Sequence, residues 1–258
     1  MTPCQKQFSI GRVTGITLRM NAIHVIFSST LPGFADLTVY DSLAAAFLVV
    51  CWLGVGWWVE DRPNKKSASS LMLTYRMAWM REMAKRSPRI VDGNLLGGLQ
   101  NSASFFASTA LLGLGGLLAM LGQVQSLDDV AHALPLSTET TPDGLRLRLL
   151  APLFFIAYAF FKFAWAQRLF GYCSVLLGAT PEWDETRKAE IMAAADRAGT
   201  VNGLAARSFN RGLRSMYFTL GSLAWLTGPL MLVLATCAVV LMINRREFHS
   251  ESRAAISQ

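Results

Sequence analysis

Lys162 and Arg168 stand inside an apolar stretch, Leu149 to Ala179, that is long enough to cross a bilayer. Charges within such a stretch are rare, and by default they mark a solute path, a proton relay or an ion pair. Trp165 is three residues from each charge, Tyr158 four before Lys162, and Tyr172 four after Arg168. On a helix that spacing sets the rings beside the two cations, where a ring face or a phenol oxygen can stabilise them. A carboxylate would serve as well, and Glu60, Asp61 and Asp92 are the candidate partners because they sit at the neighbouring ends of two other apolar stretches. At 1.5 Å per residue, Lys162 lies about 20 Å and Arg168 about 29 Å into a core ~30 Å thick. Arg168 then reaches headgroups, and Lys162 falls about 10 Å short of them. Three roles fit Lys162: an inert paired charge that fixes helix register, a pathway lining, or a catalytic lysine.

Arg207, Asn210, Arg211 and Arg214 form a second cluster, with its arginines at three-and-four spacing just before another apolar stretch. It reads either as a solvated collar that touches anionic lipid headgroups or as an anion vestibule. Nothing comparable points to catalysis. His24, His132 and His249 lie in separate segments without metal-ligand spacing, and Cys4, Cys51, Cys173 and Cys237 form no Cys-x-x-Cys pair. No nucleophile elbow, phosphate loop or zinc motif occurs. The expectation is no enzyme, no cofactor and no metal.

Composition says what must position these residues. Hydrophobic types make up 52% of the 258 residues and charged types 16%, against about 25% charged in soluble domains. The net charge of +7 lies in residues that flank apolar stretches, so it reads as topology and lipid headgroups rather than nucleic-acid binding. Four spans are predicted: about 43–59, with Asp41 as its N-cap; about 102–121; the Lys162 stretch; and about 216–243, kinked or hinged at Gly228-Pro229. Ser104, Ser108, Gly115, Ala119 and Gly122 share a face of the second span and predict that it is the central packing helix.

Between the first two spans, Leu71, Met72, Tyr75, Ala78, Trp79, Glu82 and Met83 mark one face of an amphipathic helix. A second, broken in places by Gly199 and Gly203, follows Thr180-Pro181. These two helices are expected to cover the end of the Lys162 stretch where it outruns the bilayer. The fold expected is all-α: an integral-membrane four-helix bundle with two cytoplasmic amphipathic segments. Residues 1–41 read as an extension outside the domain, 42–245 as the transmembrane domain, and 246–258 as a charged tail.

The two basic connecting segments carry 14 Lys and Arg, against 8 in the N-terminal arm, the loop between the second and third spans, and the tail. Positive residues stay inside. The basic loops are therefore expected in the cytoplasm and both termini outside, in a bacterial inner membrane rather than an organellar one.

Three blocks carry a resemblance: "RIVDGNLLGGLQNSASFFASTALLGLGG", "FFKFAWAQRLFGYCSVLLGATP" and "FNRGLRSMYFTLGSLAW". They resemble the membrane family catalogued as domain of unknown function 599, found in bacteria and plants. The resemblance implies a four-helix membrane protein and no chemistry. The functional expectation is an oligomeric small-solute or anion pathway that uses Lys162 and Arg168. The alternative is an accessory or assembly subunit that holds a partner membrane protein through its cytoplasmic helices.

Overall fold

The computed structural model describes residues 37–60, 67–125 and 141–256. Their helices are α1 (Val39–Glu60), α2 (Ala68–Ala84), α3 (Ile90–Gly122), α4 (Pro142–Ala179), α5 (Lys188–Leu223), α6 (Pro229–Phe248) and α7 (Glu251–Ile256). Four are long and apolar enough to cross a membrane: α1, α3, α4, and α6 with α7. Asp61 lies outside the described residues, as does most of the 1–41 extension.

Local chemistry fixes the helix starts. Thr38 caps α1: its hydroxyl accepts from the Asp41 amide at 3.2 Å, and the Asp41 carboxylate accepts in return from the Thr38 amide at 3.2 Å. This is a reciprocal capping box, so Asp41 is its inner member rather than the cap itself. Thr141 caps α4 with Pro142 in the first turn, and Ser67 caps α2.

The centre of the bundle is the antiparallel pair α4 and α5. Cys173 Sγ faces the Ala198 carbonyl at 3.4 Å, Ser208 Oγ donates to the Lys162 carbonyl at 2.8 Å, and Ser215 Oγ donates to the Phe155 carbonyl at 2.6 Å. The helices come this close because Gly212 lies over Phe163, where a Cβ would meet the ring at 2.7 Å. The second predicted span, by contrast, is peripheral. In α3 the buried residues are Asp92, Leu96, Ala103, Ala110 and Leu117, while Ser108, Ala119 and Gly122 of the small-residue face are exposed. Small residues on an apolar helix permit close packing but do not require it.

Helix directions follow from a few contacts. Asp41 at the start of α1 meets Arg148 near the start of α4 and Trp225 just after α5. Glu60 at the end of α1 meets Arg211 and Arg214 of α5. Gly228 (φ 128°) makes the turn after Trp225, and α6 then runs parallel to α1 until Glu247 reaches Ser69 in α2. Gly228-Pro229 is therefore the turn between two helices and not a kink within one span. Leu37 and Ile256 consequently lie at opposite ends of the bundle.

At 1.5 Å per residue α1 is about 33 Å long, while α3, α4 and α5 are each about 50 Å or more. The excess lies at the Glu60 end. There Leu169, Phe170 and Cys173 of α4 pack against Met80 and Met83 of α2 and Ala198 and Ala205 of α5, as the overlength Lys162 stretch predicts. The packing face of α2 is rotated from the predicted stripe. Met72 and Tyr75 are exposed, Met80 and Met83 are buried, and Met77 meets Gly199 of an unbroken α5.

Candidate functional site

Among the described residues, the predicted cation site does not assemble around a carboxylate. Lys162 leans back one turn so that Nζ sits 5.1 Å from the centre of the Tyr158 ring. Arg168 is exposed, donates to the Tyr172 hydroxyl at 2.7 Å, and lies 5.7 Å from that ring. Trp165 is exposed and contacts neither charge among the described residues. The Ser208 bond to the Lys162 carbonyl places Lys162 about one turn from the level of Arg211. Arg211 in turn reaches Glu60, where α1 ends. Lys162 is thus near the end of the first span, not deep between its ends.

Two of the predicted partners are engaged elsewhere. Asp92 is buried, accepts from the Trp79 indole at 2.7 Å, and lies 3.4 Å from Arg86. Glu60 joins the predicted collar: its carboxylate takes Arg211 Nε at 3.0 and 3.1 Å and also Arg214 Nη2. Arg207 stays exposed on α5, and Asn210 donates to Ser69 at 3.2 Å.

Around this ion pair are two clefts. The smaller, of about 300 Å³, lies between α1, α4 and α5 and is lined by Trp52, Trp57, Glu60, Tyr158, Arg211 and Arg214. The larger, of about 470 Å³, has α5 as its floor and α2, α3 and α6 as its walls. Arg214 lines both clefts and is buried. Arg76 and Arg246 line the larger one, and neither has a carboxylate partner among the described residues. Arg76 donates to Asn202 at 2.5 Å, and burial presses its pKa below the usual guanidinium range. Arg246 donates to the Tyr217 hydroxyl. Among the described residues the larger cleft has one carboxylate, Glu247, which is held by the Ser69 amide at 3.1 Å and its hydroxyl at 2.8 Å. A cavity with more guanidinium than carboxylate favours anions, because each planar fork offers paired donors to an oxyanion.

A family model described as "Protein of unknown function, DUF599" matches residues 43–252. The chain belongs to the DUF599 family. The matched span holds every residue of both clefts named here and starts two positions after Asp41. No curated protein and no solved structure matches the chain.

The sequence pattern does not single out Arg76 or Arg246, since the first lies off the apolar stripe and the second stands among the charges that close the chain. Nor does it single out a buried cluster at the opposite end of the bundle. There Asp41 (0% exposed) pairs with Arg148 (3%) at 3.2 Å and accepts from the Trp225 indole at 2.8 Å. A signal existed: each is a charge in the opening turns of an apolar span, and both spans run in the same direction.

Proposed function

We propose that this is a multi-pass protein of the bacterial inner membrane that admits small anionic solutes through the two clefts meeting at Arg214. The position of that side chain supports the reading: Arg214 is buried, shared by both clefts and paired with Glu60. Arg76 and Arg246 add charge to one side of it, and Arg211 adds charge to the other. An anion entering the larger cleft would compete with Glu60 for Arg214, and exchange of that partner is how the charge would move from one cleft to the next.

The threading belongs to the same proposal. With α5 as a fifth crossing, α1, α4 and α6 run inward and α3 and α5 outward. Arg245, Arg246 and Arg253 then join the fourteen of the basic segments, giving 17 Lys and Arg on the projecting side and 5 on the other. That asymmetry supports a cytoplasmic face at the projecting end. The test is ion flux through purified protein in liposomes. Anion-selective flux supports the reading, and cation-selective flux or none from folded protein refutes it.

A further inference from the structure

We propose that the larger cleft holds the phosphate headgroup of an anionic membrane lipid, with the acyl chains leaving between α3 and α6. This rests on the anion reading above and names the class of anion.

The cleft is two-faced. Its apolar side chains include Leu99 and Phe106 on α3, Leu213 on α5 and Ile243 on α6. Its cations are Arg76 from α2, Arg214 from α5 and Arg246 from the last turn of α6. The α3 and α6 walls belong to helices apolar enough to cross a membrane. Each packs mainly elsewhere, α3 on α4, and α6 on α1 and α5. The gap above α5 therefore faces hydrocarbon along those two helices. A free phosphate would use the arginines and leave the apolar wall facing its hydration shell. An amphiphile matches both halves, and 470 Å³ falls within the usual range of about 300–1,000 Å³ for a small-ligand site.

The cations are placed for a headgroup. Arg246 is exposed while Arg76 is half-buried, so they cover the mouth and the depth of one cleft. Each has one neutral acceptor, the Tyr217 hydroxyl for Arg246 and the Asn202 amide oxygen for Arg76. A guanidinium has five N–H donors, so most remain for a phosphodiester.

The test uses full-length protein in neutral detergent, with lipid retention read by native mass spectrometry. The probes are phosphatidylglycerol, phosphatidylcholine and inorganic phosphate. We expect phosphatidylglycerol to be retained over phosphatidylcholine. Retention should fall about tenfold in Arg246→Gln, the loss of one charge-assisted contact, and less in Arg246→Lys. Lys162→Met lies outside the cleft and should retain lipid as the wild type does. Arg76→Gln should weaken retention too, but Arg76 also holds Asn202, so the exposed Arg246 carries the test. Displacement by millimolar inorganic phosphate would overturn the lipid inference and leave the anion reading standing. Equal retention of both lipids, unchanged in Arg246→Gln, would overturn the lipid inference as well. If folded wild-type protein binds neither phosphatidylglycerol nor phosphate, both readings fail.

Discussion

Arg214 and Glu60, 154 residues apart in the chain, form an ion pair at the boundary between the two clefts. The guanidinium is buried and the carboxylate also holds the exposed Arg211. Glu60→Gln leaves Arg214 short of a charged partner, and the expected loss is about 1.5–3 kcal/mol. Arg211 adds little because it is solvated. Thermal unfolding in detergent measures the loss. The same variant frees positive charge between the clefts, so anion selectivity in liposomes should rise even as stability falls. A stable variant with unchanged selectivity would remove Glu60 from the account.

At the other end, Asp41 and Arg148 are enclosed together with the Trp225 indole. Removing one member of a buried pair leaves the other charge uncompensated, at a cost of about 3–5 kcal/mol. Asp41→Asn should therefore lower the unfolding temperature more than Glu60→Gln does. Trp225→Phe deletes a single donor and should cost about 1–3 kcal/mol. If the two substitutions prove equally mild, the cluster is not closed in the way described.

Gly228 has φ 128° and ψ 167°, backbone that an L side chain rarely adopts. Gly228→Ala should cost on the order of 1–3 kcal/mol. Because Gly228 starts α6, the same change should loosen Glu247 from Ser69, which proteolysis of the C-terminal segment would report.

Threading has a direct test. Single cysteines at Thr141 and Ser250, in a background with Cys4, Cys51, Cys173 and Cys237 replaced by Ser, report the two ends of the bundle. A membrane-impermeant thiol reagent on oriented vesicles should label one and not the other. Labelling of both from one side would restore the even-crossing arrangement.

A pH effect is expected where α2 meets α5. Arg81 donates to Asp196 at 2.6 Å and holds its pKa below the ordinary carboxylate value. A lowered folded-state pKa contributes stability that is present above the unfolded value, about 3.9, and is lost as pH falls through the folded one. Arg81→Gln should flatten the acid limb of the stability curve below about pH 4. The pair is exposed, so the change in unfolding temperature should be small.

The sequence made the membrane class plain because lipid-facing helices must be apolar, and α1, α3, α4 and α6 are. It hid α5 as a member of the bundle core for the opposite reason. One face of that helix packs against other helices, so Ser208, Ser215, Thr219 and Ser222 can be buried with their hydroxyls bonded to carbonyls. Hydropathy registers contact with lipid, not contact with neighbours. The overreach of α4 was legible because no bilayer holds so long an apolar run. Arg76 was not legible, since the inward face of α2 is set by Met77, Met80 and Met83 while Met72 and Tyr75 remain exposed. Lys162, like Arg168, stands out as a charge in an apolar run, yet its level follows from its register with Ser208, which only the fold provides.

In this reading the cations of the clefts, and not Lys162, handle an anion. This is tested most directly by anion flux in liposomes that compares wild type, Arg246→Gln and Lys162→Met. The expected fall is roughly tenfold for Arg246→Gln and less than about twofold for Lys162→Met. Flux lost in Lys162→Met and kept in Arg246→Gln would contradict it, as would folded wild-type protein that passes no anion.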